Sequence, residues 1–280
     1  MDLIQTILMG IVQGLSEFLP ISSSAHLVFT SNFYKVFKNI PIAEQSTEEI
    51  FLDIMLHLGT LIAVLIFFRK DVIEICKALL QGIKERDFSH YNAKLGLYII
   101  LGTIVTIILA LPLEKVAGHL VFHPAIVGAL LIITGLVLFF SEYLSKKQSQ
   151  KEELGKKEAI LIGLAQGIAV LPGFSRSGWT IATGLFTGLN RQTAARYSFL
   201  LSIPIILGAS MVYPLIKIDI TEAAGYNWTA IILGTIFSGI TGYLCIKYFM
   251  KFISKFSLNI FGWYCVVMGI FTTIFFNIYK

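Results

Sequence analysis

Six stretches of this sequence, about 51–69, 92–111, 124–143, 195–215, 228–250 and 258–279, are apolar and close to the length of a bilayer crossing. A hydrocarbon core about 30 Å thick needs roughly 20 apolar residues at 1.5 Å each. In lipid every backbone N–H and C=O must find its partner within the chain, so such stretches fold as helices. The predicted class is an all-α polytopic membrane protein. Composition agrees: the chain is 56% hydrophobic and 14% charged, with a mean hydropathy of +0.78, where a soluble domain carries about a quarter charged residues. No stretch reads as a linker between globular units, so a single membrane domain is expected over 1–280. The net charge of +5 comes from lysines gathered in short loops, as membrane topology requires, and no nucleic-acid partner is expected. Cys76, Cys245 and Cys265 lack metal or disulfide spacing; the last two read as packing residues. The opening MDLIQTILMGIVQGLSEFLP has no basic start and no small-residue cleavage site, so it is expected to stay in the mature protein.

Two further apolar regions, about 2–34 and 158–189, are broken near their middles by Pro and a cluster of Ser. The breaks read Leu19-Pro20-Ile21-Ser22-Ser23-Ser24 and Leu171-Pro172-Gly173-Phe174-Ser175-Arg176-Ser177-Gly178. Proline interrupts a helix, and each half is too short to span. Two re-entrant helix hairpins are predicted, of the kind tolerated only when buried in protein or lining a polar cavity. Loop charge gives the topology. Basic residues gather after the first span (Arg69, Lys70, Lys77, Lys84, Arg86), in 146–157, at Arg191 and Arg196, and at Lys247, Lys251 and Lys255. The intervening loops near 31–50, 112–123 and 216–227 carry Glu44, Glu48, Glu49, Glu114, Asp219 and Glu222. By the positive-inside rule the basic set is cytoplasmic, and the alternation holds only if each broken region returns to its own side. Each half is then one hairpin plus three spans, about 1–144 and 158–280, joined by a basic cytoplasmic loop. Three is odd, so the halves form an inverted repeat. The segment Gly10-Ile11-Val12-Gln13-Gly14-Leu15 resembles Gly163-Leu164-Ala165-Gln166-Gly167-Ile168, and both lead to Leu-Pro and then serines. Inverted repeats with broken helices place a ligand site near the midplane, where the two breaks meet.

The breaks carry the reactive residues. Glu17 is an ionisable group at membrane depth, which is costly and usually functional; a structural carboxylate between helices is the bland alternative. Gln13 lies one turn before it on the same face and could equally serve helix packing. Ser22, Ser23 and Ser24 start a half-helix, where one hydroxyl is expected as a cap and the free N–H groups form an anion site. His26 follows in the same turn region, and a lone His would otherwise be a packing residue. Arg176, between Ser175 and Ser177, suits bidentate contact with phosphate, or an ion pair with Glu17 when no ligand is present. Thr180 lies one turn beyond and is a ligand contact or a helix hydroxyl. Asp53 and His57 could face the same site or the interface. His119 and His123 read as solvated loop residues.

These residues strongly resemble the undecaprenyl-pyrophosphate phosphatase family, the bacitracin-resistance type of membrane phosphatase. The family's Glu/Gln-x-x-x-Glu motif running into Phe-Leu-Pro-[Val/Ile]-Ser-Ser-[Thr/Ser]-x-His is matched from Gln13 to His26, and its Pro-Gly-x-Ser-Arg-Ser-Gly motif from Pro172 to Gly178. The likeness is collinear over essentially the whole chain. Gln stands at 13 where Glu is common, and Ser24-Ala25 where Thr-Gly is commoner. The resemblance implies hydrolysis of undecaprenyl pyrophosphate to the monophosphate and inorganic phosphate at the outer face of the cytoplasmic membrane. That recycles the lipid carrier for cell-wall synthesis and gives bacitracin resistance. It also implies a divalent cation (Mg or Ca), with Glu17 expected to hold it. The lipid partners are the prenyl pyrophosphate and the membrane, and a homodimer is open to such a chain. Expected phosphate contacts are Ser22, Ser24, Ser175, Ser177, Thr180 and Gln13, with Glu17, Ser23, His26 and Arg176 catalytic. Three routes stay open: attack by Ser23 activated by His26, direct attack by His26, or attack by water with His26 as base. The same scaffold also suits a transporter of a phosphorylated lipid or anion, which needs no nucleophile; a structural scaffold leaves Glu17, His26 and Arg176 without purpose.

Overall fold

The computed structural model describes residues 2–39, 46–147, 150–217 and 225–278. Glu44, Asp219 and Glu222, three of the acidic loop residues used for topology, lie outside them. The described residues form eleven helices and no strand. Six are long and apolar enough to cross a membrane: α3 (Thr47–Phe67), α5 (Tyr91–Leu120), α6 (Pro124–Ser145), α9 (Arg191–Lys217), α10 (Trp228–Ile253) and α11 (Asn259–Ile278). Each expected span falls on one of them. Local signals set their starts: a capping box between Ser46 and Glu49 opens α3, Pro124 sits in the first turn of α6, and Asn227 caps α10.

The two interrupted regions are helix–break–helix units, α1 (Leu3–Phe18) with α2 (Ser23–Phe37) and α7 (Lys156–Ile168) with α8 (Arg176–Phe186). Each second helix is capped from its own serine, Ser22 Oγ accepting from the Ala25 N–H and Ser175 Oγ from the Gly178 N–H. At the second break Gly173 has φ +99°, and a Cβ there would lie 2.4 Å from the Val127 carbonyl oxygen, so only glycine fits.

The repeated hexapeptides make matching contacts. Gly10 of α1 lies against Gly234 of α10, a Cβ there falling 2.3 Å from the Gly234 oxygen. Gly163 of α7 meets Gly102 of α5 in the same way, at 2.7 Å. Close backbone approach through small residues is how helices associate in lipid. Each broken helix thus packs on the middle span of the other half, and α6 packs along α11.

Two segments depart from expectation. The stretch after the first span, expected as a basic loop, is a helix, α4 (Arg69–Glu85), turning off α3 at Phe68. Its apolar residues recur at helical spacing among the lysines, and that period outweighs the charge. The expected outer loop 112–123 is largely helical, because α5 runs through Pro112 to Leu120; His119 is in its last turn, its ring 5.2 Å from that of His123. Proline removes one hydrogen bond, and a helix in a membrane tolerates that where neighbours re-satisfy the freed carbonyl.

Candidate active site

The two breaks meet. Ser177 donates from Oγ to the Leu19 carbonyl (2.9 Å), and Ser22 Oγ approaches the Phe174 carbonyl at 3.4 Å. Phe18 packs edge-on against Phe199 of α9, ring centroids 5.4 Å apart, beneath the tips. Glu17, on the last turn of α1, is buried at this junction. Its Oε1 accepts from Arg176 Nη2 at 2.6 Å. Its Oε2 accepts from Ser23 Oγ at 2.5 Å and from Gln13 Nε2 at 3.0 Å. His57 Nε2 lies 3.7 Å from the same oxygen, while His57 Nδ1 donates to the Asp53 carbonyl at 2.7 Å. One carboxylate thus joins a cation from the second half to a hydroxyl from the first, across 159 positions of sequence.

A cavity of about 620 Å³ opens onto this group. Glu17, Ser23, Ser24, Asp53, His57 and Arg176 supply its polar wall with Ser210, and Ile54, Val121, Phe122, Val170, Phe174, Ile205 and Ile206 much of its apolar wall. Ile50 and Asp53 on the first turns of α3, Gly118 near the end of α5 and Ser210 well along α9 place its mouth at the helix ends away from α4. Polar groups converging in an apolar cleft suit a ligand with a charged head and a hydrocarbon body.

The expected site residues divide. Glu17, Ser23, Ser24 and Arg176 line the cavity. Ser22, Ser175, Ser177 and Thr180 do not: their hydroxyls cap helices or close the junction, Thr180 Oγ1 bonding Ser198 Oγ at 2.6 Å. Gln13 is fully buried behind Glu17. The expected Ser23–His26 pair is not formed. His26 Nδ1 donates to the Ser22 carbonyl (2.7 Å), and its Nε2 accepts from Tyr264 of α11 (2.7 Å) with the rings stacked. His26 and Ser23 are three residues apart on one helix, and the tertiary neighbours decide which way each points. Asp53 and His57, left between site and interface by sequence, line the cavity. Their signal was the i, i+4 spacing of two ionisable residues inside an apolar span. Ser210 had none.

Among the described residues no group of three or more His, Cys, Asp and Glu side chains is placed to hold an ion. Glu17, expected to hold the cation, is committed to Arg176, Ser23 and Gln13.

The family model of bacitracin resistance protein BacA matches residues 6–271. The chain belongs to this family. It is 42% identical to the undecaprenyl-diphosphatase of Methanobrevibacter smithii, with 96% of each chain covered. It is 40% identical to that of Methanosphaera stadtmanae, with 98% of each covered, and 39% identical to that of Halothermothrix orenii, with 96% of each covered. The BacA match contains both breaks, and therefore both sides of the Glu17–Arg176 junction.

Proposed function

We propose that the chain is a membrane undecaprenyl-diphosphatase, hydrolysing undecaprenyl pyrophosphate to undecaprenyl phosphate and inorganic phosphate. It would thereby recycle the lipid carrier for peptidoglycan synthesis and confer bacitracin resistance. The observation that carries this reading is the Glu17 carboxylate bridging the Ser23 hydroxyl and the Arg176 guanidinium on the polar wall of an otherwise apolar cavity. The pyrophosphate head enters between the breaks and draws Arg176 from Glu17 onto its oxygens, where the planar fork binds two at once. Ser23 Oγ attacks the terminal phosphorus as Glu17 Oε2 takes its proton. The bond to the bridging oxygen breaks, and undecaprenyl phosphate departs with those electrons. Water then cleaves the phosphoserine, releasing inorganic phosphate and restoring the hydroxyl. Glu17 replaces His26 as activator of Ser23, because the hydroxyl hydrogen bond runs to Glu17.

Among the described residues no three-ligand cluster is placed to hold an ion, so the divalent cation (Mg or Ca) would come with the substrate and would offset the charge of its phosphates. The basic residues on the α4 side support a cytoplasmic assignment for it. The cavity mouth lies at the opposite helix ends, so the site opens to the outside of the cytoplasmic membrane. The two halves are inverted, consistent with the exchanged packing of α1 on α10 and α7 on α5.

The test is phosphate release from a detergent-solubilised prenyl pyrophosphate by wild type, Ser23→Ala and Arg176→Ala. Release by wild type alone supports the reading. Absence of release by folded wild type, with prenyl pyrophosphate still bound, would leave the transporter reading in its place.

A further inference from the structure

The helix that replaced the expected basic loop has faces of four kinds. Ile75 and Gly82 of α4 are buried, with Ile75 and Leu79 packing at Gly96 of α5. Asp71 pairs with Arg196 of α9, and Asn92 donates to Glu74. The contacts with α5, at Asn92 and Gly96, fall on its first two turns although α4 has 17 residues and α5 has 30. A helix running alongside would touch several turns; α4 crosses the end of α5 instead. It also leaves α3 directly at Phe68, where the span ends. Its axis therefore lies at the level of the membrane interface.

A second apolar stripe faces outward. Ile73, Leu80 and Ile83 are 52%, 69% and 66% exposed, and Cys76 is exposed beside them. At 3.6 residues per turn the four fall within about 80° of arc, next to the buried face. Lys70, Lys77 and Lys84 recur every seven residues along the far edge of this stripe, and all are exposed. Glu74, Gln81 and Glu85 lie beyond the lysines. The order around the helix is protein-facing apolar, exposed apolar, basic, then acidic. That is the section of a helix lying in an interface: apolar side chains in the acyl boundary, lysine stems reaching up to headgroup phosphates, carboxylates in water.

We propose that α4 docks on anionic phospholipid of the leaflet it borders, with Ile73, Cys76, Leu80 and Ile83 below the headgroups and Lys70, Lys77 and Lys84 on lipid phosphates. The lysines select the lipid by charge, since each basic residue near an anionic surface adds favourable energy. The placement does not depend on the phosphatase chemistry.

Cys76 makes the test direct, because Cys245 and Cys265 are buried. A nitroxide on Cys76 of the whole protein in nanodiscs is compared with one at Glu85→Cys in a Cys76→Ser background. The Cys76 label is expected to be relaxed by oxygen and shielded from a water-soluble nickel chelate, and the Glu85→Cys label the reverse. A fluorophore on Cys76 should be quenched by brominated phosphatidylglycerol in preference to brominated phosphatidylcholine by about tenfold. That preference should vanish in Lys70→Gln/Lys77→Gln/Lys84→Gln and in high salt. Equal nickel access at the two labels overturns the proposal and leaves water or a soluble partner on this face. A shielded Cys76 without lipid preference, or with a preference unchanged in the triple variant, overturns it too.

Discussion

Glu17 illustrates how much one side chain can organise. It is buried in a membrane protein with a cation, a hydroxyl and an amide all aimed at its two oxygens. Removing the Ser23 hydroxyl deletes the proposed nucleophile, so Ser23→Ala should lower turnover on the order of 10³-fold or more with the fold intact, read as phosphate release. Arg176→Lys keeps the charge and loses the fork, and should cost roughly 10–100-fold in kcat/KM. His26 offers a sharper discrimination. Held by Ser22 and Tyr264, it is proposed as a positioning residue at the start of α2. His26→Gln and Tyr264→Phe should each reduce kcat by about tenfold or less without moving the limbs of the pH–rate profile. A general base would instead cost on the order of 10²–10⁴-fold and take one limb with it. The cation assignment is tested on the protein without substrate: Mg or Ca alone should leave its melting temperature unchanged, whereas a resident metal would raise it.

At the scale of elements the glycines of the repeated hexapeptides decide the packing. A side chain at Gly10 or Gly163 would be driven into the backbone of Gly234 or Gly102. Gly10→Val and Gly163→Val should each destabilise by about 1–3 kcal/mol, measured by thermal unfolding in detergent. Gly208→Ala, where nothing lies within 4 Å, is the neutral control. The broken helices are legible in the sequence because Pro, Gly and Ser clusters are local signals, and the six spans are legible from length and apolarity. α4 is not, because its charge resembles that of a loop and only its apolar period marks it as a helix. The extension of α5 past Pro112 is hidden for a related reason: proline reads as a stop, yet the helix runs on through it to Leu120.

Across the whole molecule the two halves are tied by buried polar contacts as well as by apolar packing. Glu142 of α6, 1% exposed, accepts from Arg191 at 2.9 and 2.5 Å and from the Leu258 N–H at 2.8 Å, joining α6, α9 and the turn before α11. Arg191→Leu strands a buried carboxylate and should cost about 3–5 kcal/mol, part of which Glu142→Leu in the same chain should restore, read from unfolding of the single and double variants. By itself the sequence determined that this chain lives in a bilayer, where its six spans lie, where two further helices break and which residues crowd the breaks. All of that follows from length, period and local backbone chemistry. Only the tertiary structure decided which of the crowded residues face the cavity. Ser23 and His26 share one turn of helix, yet one meets Glu17 and the other Tyr264, 238 residues on. The direction of a side chain in a buried junction is set by the partners packed around it, and those come from distant segments that no local pattern brings together.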